Sequence, residues 1–384
     1  MLAAVRTLLI SGETPMSADS GSRLRVLHLA RALAGRFDVE LAVLGEPGDA
    51  SGEPFELTAA GHQRRPLSGV ATALSRPYEV AKHSSRAMMR LAAGGHWDVV
   101  QASQPWMLPA AARTGRPVVL DVHNVEAEIL LDFARRERRP LHRARWRWES
   151  RKMERWERAS AGRVRAVTAT SQADAEAFER YGAREVVLVP NGVDAAGIEF
   201  DPPSPGADIV FVGHYGYRPN AYAAAELAEQ ILPRVRSSVP AARVVLVGRE
   251  QERPHIKPLG ELPGVELAGG VADVKPFLRH SRVTVIPLRT GSGTRLKVLE
   301  AMAAGVPVVS TPLGVAGLGL TAGREALLGE TPAELAEAAT RVIVDDTLAE
   351  SLARAGRGLV ERRYDWPIVA APLIELHQRV AEGR

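Results

Sequence analysis

Short apolar, β-branched runs alternate with stretches whose apolar residues recur every three to four positions, and the alternation continues along the whole chain. Strand-like runs in the first half are Thr7–Ile10, Val39–Leu44, Asp98–Gln101, Val118–Asp121, Arg165–Thr170 and Val186–Pro190. A second series follows: Asp208–Gly213, Arg243–Gly248, Val265–Ala268, Val283–Pro287, Val306–Ser310 and Ala326–Leu328. Helical spacing marks Ser22–Ala34, where Leu24, Leu27, His28 and Ala32 recur, and also Tyr222–Val235, Leu296–Ala304 and Ala333–Val342. The stretch 64–95 reads as partly helical and broken at Pro77. Strands alternating with helices predict an α/β protein with parallel sheets. The most loop-like run, Asp201 to Gly206, separates the two series. The expectation is two Rossmann-like domains facing each other across a cleft, with a boundary at 200/201 and ligands beyond the carboxyl ends of the strands.

Composition narrows the class. At 46% hydrophobic and 24% charged, the 384-residue chain is neither disordered nor collagen-like. It has no cysteine, which removes disulfides, a thiol nucleophile and thiolate metal sites. The opening MLAAVRTLLISGE holds too short an apolar stretch for a signal peptide and reads as a first strand. With no apolar run of about 18 residues, the expected location is the cytoplasm. Net charge is +4, but 13 Lys/Arg stand against 4 Asp/Glu between Arg135 and Arg165. That segment is locally +9 and the remainder −5. Within it, Trp148 and Trp156 share a helical face with Leu141 and Ala159. The plain reading is a tryptophan core face opposite a solvated cationic face; the functional one is peripheral contact with an anionic membrane. A nucleic-acid role has no recognition motif behind it.

Absences narrow the chemistry further. There is no P-loop, no GxGxxG after the first strand, no HExxH or Asp-x-Asp and no nucleophile elbow. One constellation carries a signal. A strand ends at Pro287, a loop with Gly291, Ser292, Gly293 and Thr294 follows, and a helix starts near Arg295 or Leu296. Glycines let the backbone approach a ligand, and a helix N-terminus favours phosphate. Arg295 and Lys297 add two cations, and Glu300, one turn on, can accept hydrogen bonds from ribose hydroxyls. The plainer alternative is a surface loop with a Lys297–Glu300 pair.

The segment from Glu300 through Ala301-Met302-Ala303-Ala304-Gly305-Val306-Pro307-Val308-Val309 resembles the nucleotide-sugar site of retaining GT-B glycosyltransferases of the family-4 type. The resemblance extends to Val189–Asp194, Asp208–Gly213, Val245–Arg249 and Gly270–Val274, in the family's order. It implies a GT-B fold with a domain 1–200, a nucleotide-sugar-binding domain 201–364 and a final helix, 365–384, crossing back to the first. It implies transfer of a sugar, with retention, from a nucleotide sugar to an acceptor hydroxyl on a natural product, saccharide or lipid carrier, with no metal or other cofactor. Arg295, Lys297 and His123 then take the catalytic roles. Gly21, Arg249, Val271, Asp273, Gly291, Ser292, Gly293, Thr294 and Glu300 take the donor side, and Ser20, Gln104 and Asn124 the acceptor side; Gln101 is a further acceptor-side candidate.

Two departures stand out. The family's signature is Glu-x7-Glu; counted back from Glu300 its first glutamate falls on Ser292, and the usual Arg/Lys phosphate pair after the strand glycine is replaced by Gly213-His214-Tyr215-Gly216-Tyr217-Arg218-Pro219-Asn220. Arg295 and Lys297 are expected to supply that charge instead, and Asn220 to cap a helix starting near Ala221. A nucleotide-sugar epimerase of the same architecture and a non-catalytic binding protein are the rival readings.

Overall fold

A computed structural model describes residues 5–16, 20–61, 76–290 and 296–383. The chain divides into two compact units, unit 1 comprising Met1–Pro190 with Val369–Arg384, and unit 2 comprising Asn191–Ile368. The divisions thus fall at 190/191 and 368/369, where the sequence reading set 200/201 and 364/365.

The strands of unit 1 are β1 (Arg6–Ser11), β2 (Asp38–Leu44), β3 (Glu56–Ala60), β4 (Val99–Ser103), β5 (Val118–Val122), β6 (Ala166–Ala169) and β7 (Val186–Leu188). Those of unit 2 are β8 (Asp208–Val212), β9 (Arg243–Val247), β10 (Val265–Gly269), β11 (Val283–Ile286), β12 (Val308–Ser310) and β13 (Leu327–Leu328). All pairings are parallel, in the orders β3-β2-β1-β4-β5-β6-β7 and β10-β9-β8-β11-β12-β13. The central strands are buried and mostly apolar, with few polar interruptions such as Gln101 in β4, Asp121 in β5 and Thr284 in β11. Only β3 escapes the sequence reading: it is an edge strand, Glu-Leu-Thr-Ala-Ala, with a single fully buried residue, Ala60. An edge strand needs little apolar surface, so little pattern marks it.

Six helices matter for function: α1 (Gly21–Ala34), α2 (Glu126–Arg136), α3 (Pro140–Ala161), α4 (Arg218–Glu226), α5 (Leu296–Ala303) and α6 (Trp366–Ala381). In unit 1, α6 packs Leu376 and Val380 on Val99, Val119 and Ala166. Its buried His377 pairs through Nε2 with Gln101 Oε1 at 2.9 Å, and burial pushes the imidazole down to about 3, so it is neutral. No described helix is long and apolar enough to cross a membrane.

The tryptophan core face expected along α3 is not what the fold builds. Leu141 is 84% and Trp148 50% exposed, Ala159 is exposed, and Trp156 is half-buried with Nε1–H donating to Pro105 O. The buried face is instead Ser150, Lys152, Met153, Glu157, Ser160 and Ala161. The reason lies at the start of α2, whose first N–H groups lack intrahelical partners. Glu157 accepts from Glu126 N–H at 2.8 Å and Ala127 N–H at 3.4 Å, and Ser150 Oγ donates to Ala127 O. A carboxyl group lent by α3 caps α2; Trp148 turns outward, while Trp156 stays half-buried against the unit 1 core.

Candidate active site

Strand order reverses between β1 and β4 in unit 1 and between β8 and β11 in unit 2. Open α/β sheets bind ligands beyond the strand carboxyl ends at such points. In unit 1 a cavity of about 90 Å³ opens there, walled by Ser11, Gly12 and Glu13 at and after the end of β1, Ser103 and Gln104 at and after the end of β4, and His123 after β5. Ser22, Arg23, Glu79, Lys82, His83 and Trp106 also line it. Its charges are internally compensated, Arg23 with Glu13 at 3.0 Å and Lys82 with Glu79 at 3.3 Å. His83 and Trp106 stack with ring centroids 5.5 Å apart. A Cβ on Gly12 would lie 2.9 Å from the His83 ring, so only glycine lets this pair close on the backbone.

Beneath the cavity sits a buried ion pair that sequence reading missed. Arg25 on α1 is 1% exposed and Asp121 at the end of β5 is 0%. Arg25 Nε donates to Oδ2 at 3.0 Å, Nη2 to Oδ1 at 2.6 Å, and Nη1 to Pro190 O at 3.1 Å. Asp121 also accepts from Thr168 Oγ1 at 2.7 Å and from His123 Nε2 at 3.2 Å. Burial alone would raise the Asp121 carboxyl, but the Arg25 charge and the His123 bond outweigh it and hold the group well below the usual carboxylate range. An ionised carboxylate only accepts, so His123 Nε2 carries the proton and Nδ1 faces Ser22 Oγ at 3.2 Å. Both ring nitrogens are therefore engaged, and Ser22 must yield if His123 is to take a sugar hydroxyl.

Gln104 is the second unusual wall residue. It holds φ 77° and ψ 148°, a backbone region nearly confined to glycine and costing about 1–3 kcal/mol. Its N–H donates to Asp121 O at 2.8 Å, while its buried Oε1 has no partner among the described residues. Gln104→Gly relieves the strain, and we expect unfolding free energy to hold or rise by about 1 kcal/mol in urea titrations. On the acceptor-side role that the sequence reading expects of Gln104, the same variant should raise the acceptor KM about tenfold with donor KM unchanged, through loss of one buried hydrogen-bond acceptor. An unchanged acceptor KM removes Gln104 from the site.

The other unit 1 candidates are spread more widely. Ser20 is the N-cap of α1, accepting from Arg23 N–H at 3.4 Å, and Gly21 is that helix's exposed first residue. Asn124 Nδ2 donates to Glu126 Oε1 at 3.4 Å. Gln101 is not on the acceptor side: it lies inside β4 with its side chain turned to His377, because alternation along the strand sends it to the helix-covered face.

In unit 2, Gly291, Ser292, Gly293, Thr294 and Arg295 lie outside the described residues, and α5 is described from Leu296. Lys297 is the informative cation. Its Nζ reaches back to the end of β8, 2.7 Å from Asn220 Oδ1 and 4.2 Å from the centroid of the Phe211 ring. Asn220 is accordingly not a helix cap. It is buried in the first turn of α4, whose N-cap is Tyr217, and its Nδ2 donates to His214 O at 3.0 Å. Asn220 thus clips the β8–α4 loop to Lys297. Tyr215 pins the same loop from inside, with N–H donating to Arg249 O and OH to Phe211 O. Gly248 holds φ +141°, and a Cβ there would stand 1.8 Å from Gly213 O, so this loop closes only over glycine. Half-buried Glu300 faces Lys297 one turn along α5; burial pushes its carboxyl up to about 7 against the pull of the lysine. Arg249 is exposed and lies over Gly270, Val271 packs on the unit 2 core, and exposed Asp273 accepts from Lys275 N–H at 2.9 Å.

The model described as Glycosyltransferase Family 4 matches residues 20–196, and that described as Glycosyl transferases group 1 matches residues 206–345. A phosphatidyl-myo-inositol mannosyltransferase of Mycobacterium leprae is 26% identical over 388 residues, 96% of each chain. Among solved structures, sucrose-phosphate synthase from Thermosynechococcus elongatus reaches a TM-score of 0.75 at 17% identity, covering 99% of this chain and 100% of that one. HepE of Anabaena, solved in complex with UDP and glucose, reaches 0.71 at 18% identity, covering 97% and 99%. With its two halves matched in order by these families and each built on a parallel Rossmann-like sheet, the chain belongs to the GT-B glycosyltransferases of the family-4 type.

Proposed function

We propose that this glycosyltransferase moves a hexosyl group, with retention at the anomeric carbon, from a nucleotide-diphosphate donor held by unit 2 to an acceptor hydroxyl held by unit 1. The observation that carries the reading is Lys297, a cation fixed by Asn220 and the Phe211 ring at the strand-order reversal of unit 2. A mannosyltransferase relative along nearly the whole chain, and a neighbour of the same fold that binds UDP and glucose, support the hexosyl donor.

In the proposed reaction the bond from the anomeric carbon to the diphosphate oxygen breaks as the acceptor oxygen bonds to that carbon on the same face. The acceptor proton passes to a donor phosphate oxygen. Charge therefore builds on the departing diphosphate, and fixed cations aimed at it supply the main stabilisation. Lys297, Arg295 and the N-terminal end of α5 take that role without a metal. Ser292, shorter than the glutamate it replaces, gives the sugar a hydroxyl in place of a carboxylate. The uncharged balance of the unit 1 cavity and the free carbonyl of Gln104 suit a neutral polyhydroxyl acceptor.

Glu300 adds a pH dependence whose sign follows from its position. As a carboxylate it accepts both ribose hydroxyls; once protonated it loses part of that capacity. Nucleotide affinity should rise with pH through about 7 and level off above it, and Glu300→Gln should flatten the profile. Calorimetric titrations between pH 5.5 and 8.5 read this directly.

Thermal shifts with UDP, GDP, ADP and dTDP identify the base, since ligand at about 100 times Kd stabilises by about 2.7 kcal/mol. Incubation with the matching nucleotide hexoses and neutral polyols in EDTA should then form a product with the donor's anomeric configuration by proton NMR. An inverted product, or a reaction abolished by EDTA, overturns the mechanism.

A further inference from the structure

The hairpin of α2 and α3 carries the basic excess of the chain and takes no part in the reaction proposed above. On α3, Leu141, Ala144, Arg145, Trp148, Arg151 and Arg155 fall on one helical face, and all six are exposed. The face runs about 21 Å along the helix at 1.5 Å per residue. Arg145, Arg147, Arg151 and Arg155 make no ion pair with another described residue, because the acids nearby are engaged. Glu149 pairs with Lys152, Glu154 with Arg158, and Glu157 is buried on the N–H groups of α2. Arg135, Arg138 and Arg139, also exposed, extend the charge around the tip of the hairpin.

We propose that this face docks on a bilayer surface containing anionic phospholipid. Unpaired arginines lie on the lipid phosphates, while Trp148 and Leu141, rimmed by them, enter the boundary between headgroups and acyl chains. That combination of an amphipathic indole, an exposed leucine and flanking arginines is what an interfacial helix needs. A nucleic acid would satisfy the arginines but leave Leu141 and Trp148 against phosphate, and the face offers no Asn or Gln to read a base. Charge complementarity and the exposed apolar pair together select the lipid.

Sedimentation of the full chain with sucrose-loaded vesicles tests this. Binding is expected to vesicles with 30% phosphatidylglycerol and not to pure phosphatidylcholine, and to fall steeply between 0.1 and 0.5 M NaCl. Each basic residue near such a surface contributes roughly fivefold in partitioning, so the triple variant Arg145→Ser/Arg151→Ser/Arg155→Ser should bind about 100-fold more weakly. Trp148→Ser should abolish the blue shift of tryptophan emission on binding. These positions are on the surface, so unfolding midpoints should match the parent protein, and nucleotide binding, a property of unit 2, should be unchanged. No binding to phosphatidylglycerol vesicles, or binding unaltered in the triple variant, overturns the proposal. So does tighter binding to a short DNA duplex at the same salt.

Discussion

Lys297→Ala weakens nucleoside diphosphate binding by about 100-fold, close to 2.7 kcal/mol, in calorimetric titrations against the parent protein. The size follows from how the lysine is held. Its ammonium is fixed by Asn220 Oδ1 and the Phe211 ring at the end of β8, so little rotamer freedom remains to be lost when a diphosphate arrives. Asn220→Ala keeps the charge but releases it, and should cost about tenfold. In the double variant the two losses should fall short of their product, because Asn220 acts through Lys297. Removing Lys297 also takes away the charge opposing burial of Glu300, so that carboxyl should titrate higher in the variant. Nucleotide affinity unchanged by Lys297→Ala would place the donor elsewhere and dissolve the proposed mechanism with it.

The second large effect concerns stability. Arg25→Leu leaves the Asp121 carboxylate buried without its counter-charge and should cost unit 1 about 3–5 kcal/mol in urea unfolding. Its dependence on pH carries a sign. In the parent protein Asp121 titrates below its unfolded value of about 3.9, so it contributes stability above that pH which is lost as acid reaches the folded group. Without Arg25, burial dominates and the folded carboxyl titrates above its unfolded value. Stability should then fall as pH rises through the carboxylate range, the reverse slope. Arg25→Leu with Asp121→Leu removes both charges and should recover much of the loss. A parent-like slope in the single variant would show that Asp121 is compensated from elsewhere. Because Asp121 also fixes the tautomer of His123, the single variant should lose activity beyond what its folded fraction explains.

Period and punctuation along the chain were enough to announce two successive α/β series and the strands of both sheets except β3. Buried parallel strands must be apolar on both faces, and that requirement is written in consecutive residues. The same holds for the positions of Gln104 and His123, each directly after a strand, and of Lys297 in the first turn of α5. Three matters were decided only in space. Asn220 looked like a helix cap because capping is a local rule, yet it spends its amide on Lys297, 77 positions away. Arg25 read as an ordinary helix position, and its partner Asp121 is 96 residues distant. Trp148, Leu141 and Ala159 of α3 were expected inward because apolar periodicity cannot know that a neighbouring helix start needs a carboxyl group. Glu157 answers that need, and the whole helix turns with it. Local pattern reports which surface a segment must hide; the long-range pairing of charges and unsatisfied N–H groups settles which surface it does hide.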